Sequence, residues 1–397
     1  MNNRDILICG AGVAGPTLAY WLAAYGFRPT LVERAPALRT GGYLLDFSGA
    51  GYDVAQRMDL LPELSRHAVR VDETQLIGQD GRVKHCIDMR RTLGASSDRY
   101  MTIARSDLAK VLYEALDDRV ETLFGDRILG LRQDHDGVEV DFARSGSRRF
   151  DLVIGCDGLH SHTRRLVFGE EQPFIRSLGY CVAAFIVPDY PDSSKGVYLG
   201  YLEPGRQTWC YGLDDGRTAF SMIFAASPAP RFQPGDTAHH RDLVRAAYAD
   251  SGWQVPKILD AMSDSEDLYF DLVAQTRMPA WHQGRVALAG DAGACPSLVS
   301  GQGSAFGMAA AYVLAGELHA AGGDHSRAFP AYQARLQPFI TAQQDKVRRS
   351  TRWVIPKTSI GRHLQDTLAS LLSLPLVAKR ATGRIADVRL PLPHYPR

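Results

Sequence analysis

Residues 4–34 contain the feature that most limits how this chain can fold. An apolar segment, DILIC, leads into a glycine turn, an Ala- and Leu-rich segment, AGPTLAYWLAAYG, and a second apolar segment, PTLVER. The short apolar runs predict strands, and the longer run between them predicts a helix. Because a strand, a helix and a strand in succession normally form a parallel pair with a crossover helix, we expect this unit at the edge of a parallel sheet.

The turn itself has the GxGxxG pattern, placed after a strand and at the start of a helix. Its residues are Gly10, Gly12, Val13, Ala14 and Gly15. The glycines permit a tight turn, a close approach of a pyrophosphate and helix packing, and the helix N-terminus favours phosphate. Glu33, followed by Arg34, lies at the end of the second strand, where a carboxylate can bind a ribose diol. The pattern predicts an adenine dinucleotide without separating NAD from FAD; a glycine turn in an unrelated sheet is the alternative.

Composition excludes several classes of protein. With 45 basic and 44 acidic residues among 397, the chain has no charge excess that would attract nucleic acid. The six cysteines are scattered without metal or disulfide spacing, so no metal is expected. No apolar run approaches the roughly 20 residues of a membrane span, and the N-terminus does not resemble a signal peptide. A cytoplasmic location is the default expectation.

The rest of the chain predicts an α/β fold built from interleaved pieces. Residues 104–117 have helical periodicity, and two later segments, GVEVDF and DLVIGCDG, are typical of strands. From 178 to 273 the pattern changes to alternating, aromatic-rich segments separated by Gly, Pro and Asp, which indicates an antiparallel sheet. Residues 284–318 return to a strand, a glycine-rich loop and a long apolar helix, and the tail is helical. We expect a Rossmann-like domain with a parallel sheet, interleaved with an α+β domain.

This pattern predicts the following division of the chain. The Rossmann-like domain takes residues 1–75, 101–177 and 274–325, the substrate domain takes 76–100 and 178–273, and a C-terminal helical region takes 326–397.

Two later segments carry a resemblance to a known family. CDGLHSHTRR contains Asp157-Gly158, and GDAGACPSLVSGQGSAFG contains Gly290-Asp291 followed by Pro296, Gly301 and Gly303. In this order they resemble the fingerprints of the single-component flavin aromatic hydroxylases, the family of para-hydroxybenzoate hydroxylase. The resemblance implies FAD, with Asp291 near the ribityl chain and the glycines against the flavin and the pyrophosphate.

The resemblance also implies roles for three further residues, each with a structural alternative. Arg105 matches the arginine on the pyrophosphate side, or is a surface residue at a helix start. Asp157 matches an acid that touches FAD and assists NAD(P)H, or is a capping aspartate. Arg164 either meets a nicotinamide nucleotide or faces solvent. Where many relatives have Ala-Ala-His after the GD pair, this chain has Ala292-Gly293-Ala294, so no histidine-dependent step is expected.

Within that family, the chain is similar to the tetracycline destructases and polyketide-tailoring hydroxylases. The similarity lies in residues 38–64, 267–292 and 295–303. It implies that Arg39, Gly42 and Asp46 line the flavin or the path of NADPH; a tight turn at Gly42 and an Asx turn at Asp46 are the structural alternatives.

The implied activity is that of an FAD- and NAD(P)H-dependent monooxygenase. One oxygen atom from O2 would be inserted, through a flavin hydroperoxide, into a polycyclic aromatic or enolic substrate such as a tetracycline-like antibiotic or a polyketide. The flavin carries this chemistry, so no catalytic side chain is assigned. A flavin-dependent reductase or halogenase, or a non-catalytic flavin-containing antibiotic-binding protein, are the alternatives. The chain is expected to function without nucleic acid or membrane, and a monomer is the simplest expectation.

Substrate contacts are expected from the inserted sheet. Alternation along two strands places side chains on shared faces. The candidate residues are Trp209 and Tyr211 on one segment, and Phe220, Met222 and Phe224 on another. Aromatic and thioether groups suit a flat polycyclic ligand, but apolar strand faces are more often core.

Overall fold

The computed structural model describes most of the chain. The described residues are 3–39, 43–89, 98–191, 195–213, 215–226, 228–230, 235–265, 268–372 and 390–396. Gly42, one of the expected cofactor residues, lies outside them.

Strands and helices alternate along the chain in the order that the sequence pattern predicts. In chain order the strands are β1 (Asp5–Cys9), β2 (Arg28–Glu33), β3 (Leu44–Ser48), β4 (Ala68–Val69), β5 (Glu73–Ile77), β6 (Val83–Asp88), β7 (Tyr100–Ala104), β8 (Glu121–Phe124), β9 (Ile128–Gln133), β10 (Val138–Phe142), β11 (Ser147–Phe150), β12 (Leu152–Gly155), β13 (Ile175–Pro188), β14 (Val197–Glu203), β15 (Arg206–Gly212), β16 (Arg217–Ala225), β17 (Tyr269–Thr276), β18 (His282–Gln283) and β19 (Val286–Leu288). The helices are α1 (Ala14–Ala24), α2 (Gly49–Arg57), α3 (Leu61–Arg66), α4 (Arg105–Glu114), α5 (His162–Phe168), α6 (Thr237–Ala247), α7 (Val255–Asp264), α8 (Asp291–Ala294), α9 (Gly303–Ala320), α10 (His325–Val354) and α11 (Ser359–Leu372).

The N-terminal strand belongs to a largely parallel sheet in the order β18-β19-β12-β1-β2-β8. Ile6, Leu7 and Ile8 in β1 are completely buried, as expected for a strand covered on both faces. β1 pairs with β2 on one side and with β12 on the other. The expectation of an edge position was therefore wrong, because β12 returns from far along the chain to cover the open side of β1.

A second, mostly antiparallel sheet has the order β17-β13-β16-β15-β14-β5-β6, and we call it the large antiparallel sheet. Its strands come from residues 73–88 and 175–276. β14 and β5 are the parallel neighbours within it. The remaining strands form two smaller sheets, β11-β10-β9 and β3-β7-β4. The predicted fold class, a parallel-sheet domain interleaved with an antiparallel-sheet domain and followed by helices, is confirmed; the domain boundaries remain a prediction.

Small residues bring the long apolar helix α9 close to its neighbours. A Cβ on Gly51 in α2 would lie 2.7 Å from Cα of Ala305, and a Cβ on Gly307 would lie 3.6 Å from Cβ of Ala14. The C-terminal segment packs on the same helix, since Tyr395 lies over Gly316. Among the described residues, no helix combines the length and apolar character needed to cross a bilayer.

Candidate functional site

The glycine turn after β1 has a shape that other residues would disturb. Gly10 has a φ of +106°, and a Cβ atom there would lie 2.7 Å from the carbonyl oxygen of Cys156. A Cβ atom on Gly15 would lie 1.9 Å from the carbonyl oxygen of Gly10, a clash that side-chain movement cannot relieve. Gly12 differs, because the nearest described atom to its Cβ position is Arg105 Nη2, at 3.6 Å. Gly10 and Gly15 therefore shape the turn, while Gly12 borders space beside a guanidinium.

Two positive features converge beside Gly12. Helix α1 begins at Ala14, directly after Val13, and the N–H groups at a helix start favour an anion. Arg105, the first residue of α4, adds a full charge at the same place. The turn fits a pyrophosphate, with a cation opposite the backbone amides.

Glu33 closes the turn as well as offering a carboxylate to a ligand. Its Oε2 accepts a hydrogen bond from the N–H of Ala11 at 2.8 Å, and its Oε1 accepts one from Ala35 at 2.9 Å. Each oxygen keeps capacity for a second donor, so a ribose diol still has a partner. Arg34 follows with an exposed side chain.

Asp157 caps the helix that follows it. Its carboxylate accepts hydrogen bonds from Ser161 Oγ, from the N–H of Thr163 at 2.8 Å and from Thr163 Oγ1 at 3.0 Å. Its Cα lies 3.0 Å from the Cβ position of Gly10. The capping alternative thus accounts for the Asp157 side chain, while its backbone adjoins the glycine turn.

Arg164 matches neither of the two expectations for it. The side chain is 0% exposed, so it does not face solvent. Its guanidinium donates to the carbonyl oxygens of Ala292 at 2.9 Å and Leu159 at 2.7 Å, and pairs with Glu171 at 3.4 Å. Arg164 therefore joins the loop around Asp157 to helix α8 and is not available to a nucleotide phosphate.

The GD pair lies opposite the glycine turn. The Cβ position of Gly290, which has a φ of +62°, is 3.0 Å from Cβ of Ala14. Burial raises the pKa of Asp291, and the Arg105 guanidinium opposes that effect. The Cβ position of Gly303, at the start of α9, is 3.8 Å from Asp291 Oδ1, so a side chain there would crowd the carboxylate. A half-buried carboxylate between two helix starts is suited to accept hydroxyl hydrogen bonds.

A pair of buried glutamines holds the loop between α8 and α9. Gln275 Nε2 donates to the carbonyl oxygens of Pro296 at 3.1 Å and Gln344 at 2.8 Å. Gln344 Nε2 in turn donates to the carbonyl oxygens of Thr276 at 2.7 Å and Cys295 at 2.9 Å. Sequence analysis missed both; the available signal was a glutamine within the apolar run LVAQT.

The same loop contains Gly301, which has a φ of +64° and so adopts the left-handed conformation that favours glycine. It follows Ser297, a non-glycine residue with a φ of +101°. This backbone, fixed by the glutamine pair, ends at the start of α9.

Arg39 lies near this site, whereas Asp46 is held within the β3–β7 pair. Burial lowers the pKa of Arg39, and its neighbours Arg34 and Arg105 lower it further. Asp46 accepts hydrogen bonds from the Tyr100 hydroxyl at 2.5 Å and from Thr102 Oγ1 at 3.3 Å, across the β3–β7 pair. Asp46 is therefore held by neighbouring strand residues and not by an Asx turn.

Two tyrosines that sequence analysis missed border Arg105. The rings of Tyr43, directly before β3, and Tyr269, the first residue of β17, are 5.4 Å apart. Burial lowers the pKa of Arg105, but Tyr43, Tyr269 and Asp291 together raise it above its ordinary value. The guanidinium thus stays charged where the domains meet.

A histidine of the same region connects two distant segments of the chain. His160 Nδ1 lies 2.8 Å from Glu171 Oε1, and its Nε2 lies 2.9 Å from Asp271 Oδ1 in β17. Burial alone would lower the pKa of His160, but the hydrogen bonds to Asp271 and Glu171 raise it to about 9. An imidazolium between two carboxylates therefore ties the loop after Asp157 to the large antiparallel sheet.

Three of the expected substrate residues lie on the closed face of the large antiparallel sheet. Phe220, Met222 and Phe224 are at most 4% exposed and pack with residues of α6 and α7. Alternation along β15 and β16 places Trp209 on the opposite face. Phe220, Met222 and Phe224, predicted as candidate substrate contacts, thus lie under helices α6 and α7, whereas Trp209 does not share their face.

The opposite face carries a row of residues across five strands. Pairing places Tyr269 beside Ala184, Ala184 beside Ser221, Ser221 beside Trp209, and Trp209 beside Gly200. Three strand spacings separate the two aromatic residues, about 14 Å. The row therefore has small residues between two aromatic ones, and Tyr269 at one end borders Arg105.

Trp209 packs against the backbone of its neighbouring strand. A Cβ on Gly200 would lie 2.4 Å from the indole ring, and the ring of Tyr198 stacks on the indole at 5.1 Å. Both aromatic side chains are half-buried. Tyr211, also expected to contact substrate, is buried and donates its hydroxyl to the carbonyl oxygen of Arg70 at 2.5 Å.

Comparison with known proteins identifies the class. Residues 3–346 match the model of the FAD binding domain family. The chain is 34% identical to a flavin-dependent monooxygenase of Legionella longbeachae, with 86% of this chain and 87% of that protein covered. The chain therefore belongs to the FAD-binding domain family, as a flavin-dependent monooxygenase.

Further relatives agree with this class. An uncharacterized protein of Mycobacterium tuberculosis is 38% identical over 351 residues, covering 86% of this chain and 92% of the relative. Among solved structures, the tetracycline destructase Tet(51) superposes with a TM-score of 0.84 at 31% identity, covering 100% of both chains. HpxO of Klebsiella pneumoniae, in complex with FAD and uric acid, shares the fold at a TM-score of 0.77 and 20% identity. The predicted resemblance to flavin hydroxylases near the tetracycline destructases is confirmed.

Proposed function

We propose that this protein is an FAD- and NAD(P)H-dependent monooxygenase that adds one oxygen atom from O2 to a polycyclic aromatic or enolic compound of the tetracycline or polyketide type. The observation that carries the proposal is the row from Tyr269 to Trp209. Tyr269 and Trp209 lie at its two ends, with the small residues Ala184 and Ser221 between them, on the face that meets Arg105 and Tyr43.

The described residues fit FAD. The turn around Gly12 has room and positive charge for a pyrophosphate, and Glu33 has acceptor capacity for a ribose. We assign to the cofactor the residues predicted from sequence, namely Gly10, Gly12, Val13, Ala14, Gly15, Glu33, Arg34, Arg39, Asp46, Arg105, Asp157, Asp291, Pro296, Gly301 and Gly303. When bound, FAD would supply the oxygen chemistry, and no side chain is needed as a general base.

The protein's own part is to orient the substrate and to exclude water. A flat ligand along the row would stack on Trp209 and reach toward Tyr269. Tyr269 lies near Asp291, which together with the glycine turn and Arg105 forms what we call the cofactor cradle. Aromatic stacking tolerates differing substituents, which suits polycyclic compounds with few obligatory hydrogen bonds.

The reductant, the location and the biological role are further parts of the proposal. NADPH or NADH would bind only for the reduction step. It would bind away from the turn at Gly10, because that turn is assigned to FAD. We place the protein in the cytoplasm, as a monomer that tailors a natural product or inactivates an antibiotic. The similarity to Tet(51) supports the second role.

The decisive experiment follows NADPH oxidation by the purified yellow protein at constant O2, with and without tetracycline. We expect tetracycline to accelerate NADPH consumption and to gain one oxygen atom by mass spectrometry. Accelerated consumption with an unmodified ligand and equivalent hydrogen peroxide would contradict oxygen insertion into tetracycline. The Trp209→Ala variant should lose the acceleration, whereas Trp353→Ala, an exposed tryptophan on α10, should retain it.

A further inference from the structure

Gln207 is a buried glutamine of β15 that lies on the same face of the large antiparallel sheet as Trp209. The two residues are two positions apart in the strand, so their side chains leave the sheet on the same side. Gln207 is 6% exposed, whereas Trp209 is half-buried. Because a buried amide group normally forms hydrogen bonds, the partners of Gln207 show what it holds in place.

The Gln207 amide joins the Trp209 indole to the end of α10. Trp209 Nε1 donates a hydrogen bond to Gln207 Oε1 at 3.2 Å, and Gln207 Nε2 donates one to the carbonyl oxygen of Val354 at 2.6 Å. An indole N–H can only donate and a carbonyl oxygen can only accept, so the amide satisfies both partners in one orientation. Val354 is the last residue of α10, and carbonyl oxygens at a helix end lack partners within the helix.

The indole is therefore held on both of its rings. Its benzene ring lies over Gly200, since Cζ3, Cε3 and Cη2 of Trp209 are the atoms nearest to the Cβ position of that glycine. Its pyrrole ring carries the N–H that binds Gln207. Tyr198 stacks on the indole with an angle of 20° between the ring planes. Of these contacts, the hydrogen bond to Gln207 is the directional one.

We propose that Gln207 is a positioning residue for the substrate, which acts by holding the Trp209 indole in the orientation on which a flat polycyclic ligand stacks. The inference rests on the proposed function, in which Trp209 contacts the ligand. A side chain without the amide would remove the directional restraint on the indole. Ligand binding would then have to order the indole as well, which lowers affinity.

Gln365 of α11 provides a matched control. Its Nε2 also donates to the carbonyl oxygen of Val354, at 3.0 Å, and its Oε1 accepts a hydrogen bond from Arg362 at 3.1 Å. Gln207→Met and Gln365→Met therefore each remove one donor to the end of α10. Only Gln207→Met also removes the partner of the Trp209 indole.

Nuclear magnetic resonance of the indole N–H groups tests the restraint without any ligand. The chain has five tryptophans, and in the FAD-loaded protein the Trp209 signal is identified by its loss in Trp209→Phe. Gln207→Met should shift that signal and speed its exchange with solvent about fivefold, whereas Gln365→Met should leave it in place. An unchanged Trp209 signal in Gln207→Met, or an equal change in Gln365→Met, would overturn the proposal.

Tetracycline binding to the FAD-loaded protein tests the consequence for the substrate. By calorimetric titration, Gln207→Met should weaken binding about fivefold, and Gln365→Met should not change it. With NADPH present, a smaller share of the NADPH oxidised by Gln207→Met should appear as oxygenated tetracycline, because the ligand is less well oriented.

A double-mutant comparison separates positioning from a general loss of structure. In a Trp209→Phe background the indole N–H is absent, so Gln207→Met should weaken tetracycline binding no further. The same fivefold loss in that background would overturn the proposal. Failure of the wild type to bind tetracycline would instead contradict the proposed function, while the indole signals would still report whether Gln207 holds Trp209.

Discussion

The glycine turn after β1 and the aromatic row across the large antiparallel sheet are built in opposite ways. In the turn, backbone atoms fix the shape, and the Cβ position of Gly15 lies 1.9 Å from a carbonyl oxygen. In the row, side chains from separate strands meet, and only the glycine under the Trp209 indole is sterically required. At Gly10 and Gly15 the turn therefore tolerates almost no substitution, while the row can change its ligand by changing side chains.

The largest expected effect separates folding from cofactor binding within the turn. Gly15→Ala should lower the free energy of unfolding by about 4 kcal/mol or more, because the clash is with backbone. Gly12→Ala should change it by less than about 1 kcal/mol, since its Cβ meets only ordinary contact, yet should reduce the FAD content. Urea unfolding measures the free energy of unfolding of each purified variant, and its flavin absorbance measures the FAD content. Equal stability of the two variants would remove the distinction.

The next prediction contrasts the two faces of the large antiparallel sheet. Phe224→Ala should cost about 3–5 kcal/mol of stability, because the ring is buried against α6 and α7. Trp209→Ala should cost about 1 kcal/mol, the order of its ring contact with Tyr198, while weakening tetracycline binding about tenfold. Denaturant unfolding measures the two stability changes, and calorimetric titration measures tetracycline binding by each variant. A Phe224→Ala protein that folds normally but loses binding would reverse the assignment of faces.

A glycine substitution within the row sharpens the comparison. Gly200→Ala should displace the indole, lower stability by about 1 kcal/mol and weaken tetracycline binding. Gly130→Ala in β9 is the matched control, because its Cβ would meet Asp141 at an ordinary 3.5 Å. Where no close contact requires a glycine in a strand, its replacement by alanine should slightly raise the free energy of unfolding. Opposite signs of the two stability changes are therefore expected by urea unfolding.

The last effect depends on pH and concerns the link between the two regions. Since the pKa of His160 is raised to about 9, the stability that it contributes is complete below its unfolded value of about 6.5 and is lost as the pH rises through 9. The difference in unfolding free energy between the wild type and His160→Gln should therefore shrink over that range. His135→Gln, at a histidine whose side chain is 88% exposed, is the matched control. A difference that grows with pH would contradict the charged bridge.

The sequence predicted the parts of the site that are local in the chain. The GxGxxG turn and Glu33 lie within one strand-helix-strand unit, and the GD loop follows its own strand. It did not predict Tyr43, Tyr269, Gln275 or Gln344, because each acquires its role from a partner in a distant segment. Arg164 shows the same limit, since its buried guanidinium satisfies carbonyl oxygens that pattern alone cannot locate.

By itself the sequence determined the fold class and the dinucleotide turn, because strand length, helix periodicity and glycine conformation are local properties of the backbone. Only the tertiary structure decided which face of the large antiparallel sheet meets the cradle. Alternation in β16 makes two faces, and both are apolar enough to be buried, so the choice depends on where α6 and α7 pack. That packing placed Phe220, Met222 and Phe224 in the core and left Trp209 half-buried on the other side.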